Sequence, residues 1–153
     1  MDGSVSAPEL GEDALSLRDK IVRLEAAMLE MPQLDIPILH HFAPGVYMRE
    51  MRAPEGATIT GLIHKTEHYC ILAQGEMTVS TDDGVRRICA PAIVKAKPGT
   101  KRVAYCHSDV VWINVHPNPD DDTDVEEIAQ RLVTNDFEDP ELIAALNPKG
   151  VLT

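Results

Sequence analysis

Aromatic residues make up only 4% of the 153-residue chain, with one Trp, three Tyr and two Phe. A core must therefore rest on Val, Ile, Leu, Ala and Met. No apolar run approaches the ~20 residues that cross a bilayer, so no membrane partner is expected. Met1–Glu9 has no basic n-region and no apolar h-region, so a secretory signal is not expected and a cytoplasmic setting is. There is no CxxC pair. The three cysteines, Cys70, Cys89 and Cys106, are odd in number and widely spaced, which reads as buried free thiols in a reducing compartment. No GxSxG, HExxH, P-loop or GxGxxG occurs, which removes the common nucleophile, zincin and nucleotide signatures. A basic stripe is missing as well. The net charge is −11, and an acidic chain is poorly suited to a phosphate backbone, so no nucleic-acid partner is expected.

The acid is unevenly placed. Residues 1–39 carry eight acidic against three basic side chains, and 117–153 carry ten against two. Residues 40–116 carry seven acidic against nine basic. That division suggests an arm with a helix at 1–39, a β region at 40–118 and an acidic, partly helical tail at 119–153. Asp13 can cap a helix running to Met31, before Pro32. Leu17, Ile21, Leu24, Met28 and Met31 form a 4-3-4-3 stripe, widened by Leu15, Val22 and Leu29. The stripe fits either the chain's own β region or a partner subunit, and a homo-oligomer is expected.

Turn signals cut the middle of the chain into short runs: Val46–Arg52, Ala57–His64, His68–Ala73, Met77–Thr81, Val85–Cys89, Ala92–Ala96, Arg102–His107 and Val110–His116. About eight such runs at short spacing predict a sandwich or jelly-roll barrel. Asp83-Gly84 marks a hairpin. A helix is expected at about 125–133 and a helical turn near 140–146.

The chemistry lies in His64-Lys-Thr-Glu67-His68 and in His116, which closes the last β run. If strand parity places Thr58, Thr60, Leu62 and His64 on one face, with His68, Cys70 and Leu72, and Trp112, Asn114 and His116 on matching faces, the three histidines meet at the barrel mouth. Such a set can bind a divalent transition metal, or it can be hydrogen-bonded histidines lining a polar cavity. Glu67 reads as an orienting group or general base, or else as a surface partner of Lys65 or Arg49. Arg102 can hold a carboxylate or phosphate, or close the barrel through a salt bridge. Tyr69, Tyr105 and Trp112 read as packing residues, and His40, His41 and His107 as surface or packing residues.

The Gly56…His64…His68…Gly75 spacing, with Pro98-Gly99-Thr-Lys-Arg102 following, resembles the cupin superfamily. In that register His64 occupies the second histidine position and His68 the usual glutamate position. Leu62 replaces the first histidine and Arg102 the histidine of the second motif. The strings His40-His-Phe-Ala-Pro-Gly45-Val-Tyr-Met-Arg49-Glu50 and Val111-Trp-Ile-Asn-Val-His116 resemble small cupins encoded by tailed bacteriophages and prophages. The resemblance implies a mainly β fold: a single cupin-type jelly-roll barrel between an N-terminal helix and a short C-terminal helical tail. The chain keeps ligand-capable side chains at two of the family's four positions, His64 and His68; strand parity adds His116, so a metal site of His64, His68 and His116 for zinc, iron, nickel or manganese is expected, with Arg102 and Glu67 toward a small-molecule ligand. The resemblance also implies a host-cytoplasmic or virion setting, with phage structural proteins as partners. Two functions follow: a ligand- or metal-binding accessory module, or a metal-dependent oxygenase, isomerase or lyase acting on a small polar substrate.

Overall fold

The structure, a computed structural model, describes residues 16–81 and 83–146. Its first element is a helix, α1 (Leu17–Met28). Ser16 caps it by accepting the Asp19 amide at 3.1 Å. The helix ends earlier than the expected Met31: Leu29 and Glu30 already form a turn, and the expected Asp13 cap lies outside the described residues. α1 belongs to a compact unit ending at Gln33, and residues from Leu34 onward form a second unit.

The second unit is β1 (Ile38–Ala43), β2 (Gly45–Ala53), β3 (Thr58–Thr60), β4 (Ile63–His64), β5 (His68–Gln74), β6 (Glu76–Thr81), β7 (Gly84–Cys89), β8 (Ala92–Ala96), β9 (Val103–Cys106), β10 (Val110–Asn118), α2 (Val125–Leu132), β11 (Val133–Thr134) and α3 (Pro140–Leu146). All pairings are antiparallel. One sheet runs β1-β2-β10-β5-β8 and the other β3-β9-β6-β7, with a small β11-β4 pair beside them. This is a jelly-roll barrel, mainly β, flanked by helices in sequence. The core comes from both sheets: Met51, Leu72, Val110 and Trp112 from the first, Met77, Val79 and Cys106 from the second.

Gly75 is where the chain leaves one sheet for the other. Its φ is +92°, and a Cβ there would lie 2.2 Å from the Asp109 carbonyl oxygen. Only glycine fits both the dihedral and the approach. At the β6–β7 tip Thr81 pairs with Gly84, so the hairpin turns one residue earlier than Asp83-Gly84 implied.

Two readings of the β region change. The run Ala57–His64 is not one strand, because Gly61 and Leu62 interrupt it. Parity does not carry across the break, and Ile59 rather than Thr58 packs on the core. β1 lacks alternation altogether, with five of its six residues exposed, so its sequence offered no strand signal. Among the cysteines, Cys70 and Cys106 are buried as expected, but Cys89 is exposed.

The C-terminal segment is tied to the barrel through Lys65, which is only 6% exposed. Its amine donates to the Gln130 carbonyl at 2.6 Å and to Glu141 at 2.8 Å, with Asp139 at 3.7 Å. Its backbone amide donates to Leu132 at 2.8 Å. Those bonds hold α2 and α3 against β4, and α2 becomes a wall of the cavity described next. Among the described residues no helix is long and apolar enough to cross a membrane.

Candidate metal centre

Three strand positions converge. His64 ends β4, His68 begins β5, and His116 lies on β10 opposite Tyr47 of β2. Their ring centroids are 4.3 Å apart for His64–His68, 4.4 Å for His68–His116 and 5.9 Å for His64–His116. One ligating atom from each lies within 4.8 Å of the others. Three nitrogens around one tetrahedral zinc at bond lengths of about 2.0–2.1 Å sit roughly 3.3 Å apart, so small side-chain adjustments close the set on an ion. The buried triad can hold a metal ion.

The protonation states suit ligation. Burial first, then the neighbouring imidazoles and arginines, push His64 down to about 2. Burial and the charges of His68, Arg49 and Arg131 push His116 down to about 3. Burial also lowers His68, against the opposing pull of the Thr66 carbonyl. Neutral imidazole is the ligating form. The ring of His68 is oriented: its Nδ1–H donates to the Thr66 carbonyl at 3.1 Å, which leaves Nε2 with the lone pair. His64 and His116 are different. The Nδ1 of each is buried and has no hydrogen-bond partner. Buried polar atoms are seldom left so, because desolvation without a partner costs about 1–3 kcal/mol. These orphaned nitrogens suit metal ligands better than a set of internally hydrogen-bonded histidines.

Cys70 lies beside the triad, its Sγ 3.6 Å from His68 Nε2. It donates to Asn114 Oδ1 at 3.0 Å, and burial pushes its thiol up to about 11. It therefore stays a protonated packing group.

The triad adjoins a cavity of about 490 Å³. His64 and His116 line it, with Tyr47, Arg49, Arg102, Asn114 and Trp112, and α2 contributes Ile128 and Leu132. Arg102 lines the cavity, and among the described residues no salt bridge holds it. Its Nη1 donates to the Ser80 carbonyl of β6 at 2.6 Å, and its Nη2 reaches the Lys95 carbonyl of β8 at 3.5 Å. It thus fastens one sheet to the other, while its Nε is buried without a partner. Glu67 is elsewhere. It pairs with Lys95 at 3.2 Å on the exposed surface and is not among the cavity-lining residues. Adjacent strand residues point to opposite faces, and with His68 inward Glu67 turns out.

Several cavity residues escaped the sequence reading. Tyr47, Arg49 and Met51 alternate along β2 and all face inward. The same parity test that found His116 would have found them. His40, read as a surface or packing residue, lines the mouth and bonds the Tyr47 hydroxyl at 2.7 Å. Tyr47 in turn stacks on His116 with centroids 6.0 Å apart. His41 pairs with Glu50, and His107 bonds Thr78, both away from the cavity.

No family model and no curated protein sequence matches this chain. Solved structures resemble it at low identity. A cupin domain from Bordetella pertussis is 14% identical over 57% of this chain and 98% of its own, with a TM-score of 0.45. A cupin protein from Bacteroides fragilis is 13% identical over 59% and 83%, with a TM-score of 0.46. An uncharacterised double-stranded β-helix protein from Klebsiella pneumoniae is 16% identical over 60% and 85%, with a TM-score of 0.48. The chain's own strand order and its Gly75 crossing establish the jelly-roll fold.

Proposed function

We propose that the protein is a ligand-binding cupin that holds one divalent transition metal on His64, His68 and His116. The observation that carries this is the convergence of three neutral imidazoles, His68 and His116 buried and His64 half-buried, two of them with an unpartnered buried Nδ1. An all-nitrogen set with no carboxylate favours zinc, iron or nickel over manganese. When bound, the metal would supply a Lewis-acidic or redox centre facing the cavity. Around it the chain binds and orients a ligand: Tyr47 and His40 present a hydrogen-bonded hydroxyl–imidazole pair, and the apolar wall excludes water.

Metal analysis of protein purified without chelators tests the reading. About one ion per chain is expected, lost in His68→Ala. Protein that stays metal-free after dialysis against zinc, iron(II) and nickel would overturn it.

A second reading, a metal-dependent oxygenase, isomerase or lyase, is favoured by the Tyr47–His40 pair, a proton-handling couple within the cavity. The assembly we propose is a homo-oligomer, supported by the exposed Leu17 and Leu24 on α1. A monomer in sedimentation at tens of micromolar would count against it. The phage-encoded, virion-associated setting rests on sequence resemblance alone.

A further inference from the structure

The cavity's charge is opposite to that of the chain. The protein carries 25 acidic against 14 basic side chains, yet among the described residues no Asp or Glu lines the cavity and two arginines do. Arg102 is 8% exposed, donates to the Ser80 and Lys95 carbonyls, has no carboxylate partner among the described residues, and keeps a buried, unpartnered Nε. Arg49, on β2 opposite Asn114, is half-buried. Its guanidinium makes no hydrogen bond or ion pair among the described residues. Elsewhere Arg52 and Arg87 each pair with a glutamate. A buried cation without a counterion is costly, and a structure tolerates it where a ligand supplies the opposite charge. The rest of the wall is apolar, with Ile38, Met51, Ile59, Leu62, Trp112 and Ile128. The volume is within the roughly 300–1,000 Å³ of small-molecule sites.

We propose that the cavity binds a small organic carboxylate with an apolar body, its carboxylate on the guanidinium of Arg49 in the positive field of Arg102. The inference rests on the cavity being the ligand site, and it does not require the metal. A free guanidinium fork matches a planar carboxylate bidentately, whereas an ammonium would contact it as a point charge. The apolar wall takes the hydrocarbon part and sets its size. Phosphate is less suited, because no glycine-rich loop lines the cavity and α2 opens with Glu126 and Glu127.

The test uses phenylacetate and hexanoate, their neutral amides and inorganic phosphate, titrated into metal-free and zinc-loaded protein. Trp112, the single tryptophan, lines the cavity and reports binding by fluorescence; calorimetry gives stoichiometry. The carboxylates should bind at one site per chain and the amides at least about tenfold more weakly. Arg49→Met should weaken the carboxylates by roughly ten- to a hundredfold and leave the amides unchanged, and Arg49→Lys should restore part of the loss. Acids and amides binding alike in the wild type, phosphate alone saturating the site, or no carboxylate binding would each overturn the proposal without recourse to any variant. Metal content is measured in the same samples. Carboxylate selectivity in a protein that takes no metal leaves this inference standing and removes the metal centre. Full metal loading without acid-over-amide selectivity does the reverse.

Discussion

The outside of the barrel and its interior handle charge in opposite ways. Outside the cavity, the buried Glu50 meets the exposed His41 and Arg52, and on the surface Glu76 meets Arg87, Asp83 meets Arg86, and Glu67 meets Lys95. Most of these groups are solvated, where pairing is worth little. At the cavity, where an unpaired charge is costly, Arg49, Arg102, His64 and His116 line the wall, His68 lies beside them, and no carboxylate joins them among the described residues. The histidines cope by staying neutral, which burial enforces. Arginine cannot follow them, since its guanidinium stays protonated under any ordinary condition. Burial lowers Arg49 without neutralising it. Lys65 is the instructive exception: it is as buried as Arg102, but Glu141 and Asp139 attend it, and it serves structure. Interior cations of this fold are thus either paired within the chain, as Lys65 is, or left for something from outside.

Replacing a histidine of the interior set should have the largest effect. His116→Ala or His64→Ala should weaken zinc binding by more than about a hundredfold, because even outer-shell changes cost roughly 10–100-fold. Competition with a chromophoric chelator measures this. Equal affinity in wild type and variant would remove the metal centre from the account.

Acid should come next. His64 and His116 stay neutral in the folded, metal-free protein down to about 2 and about 3, while in the unfolded chain they protonate near pH 6.5. The folded pKa is depressed, so the unfolded state binds the extra protons and stability falls as pH drops below about 6.5. Each histidine contributes a slope of about 1.4 kcal/mol per pH unit, continuing until its folded pKa is reached. Denaturant titrations of metal-free protein from pH 7.5 to 5 should show the slope, and His64→Asn should make it shallower. A flat profile would mean that the imidazoles are solvated.

The paired interior cation should respond less. Glu141→Gln leaves Lys65 with Asp139 and the Gln130 carbonyl, so the melting temperature should fall by only a few degrees and acid-over-amide selectivity should persist. Smallest of all, Glu67→Gln should leave melting temperature and ligand affinity unchanged. Its ion pair with Lys95 is exposed on both sides and screened by salt. A loss of ligand binding in Glu67→Gln would return that residue to the site.

The strands were legible where turns punctuate them. β2, β5, β6, β7, β8 and β10 lie within two residues of their expected ends, because Gly and Pro mark their boundaries and β-branched residues fill them. β1 was not, since its mostly exposed residues show no two-residue period. The His64–His68–His116 convergence was legible from the ends of strand runs. Its parity argument worked for His68 and His116 on continuous strands, but failed at Thr58, where Gly61 and Leu62 break the strand. Arg49 was overlooked because a charged residue in mid-strand reads as solvent-facing. Its two-residue spacing from Tyr47 and Met51 on β2, which the register against Asn114 confirms, turns it inward. The C-terminal tail looked like a solvated acidic flank. Its role as a cavity wall depends on Lys65, which lies 65 positions before Gln130 in the chain.

X-ray absorption at the metal edge of zinc- or iron-loaded protein tests the central claim most directly. The account predicts one ion per chain with three imidazole nitrogens at about 2.0–2.2 Å, falling to two in His116→Ala. A first shell of oxygen alone, or a spectrum unchanged by His116→Ala, would contradict it.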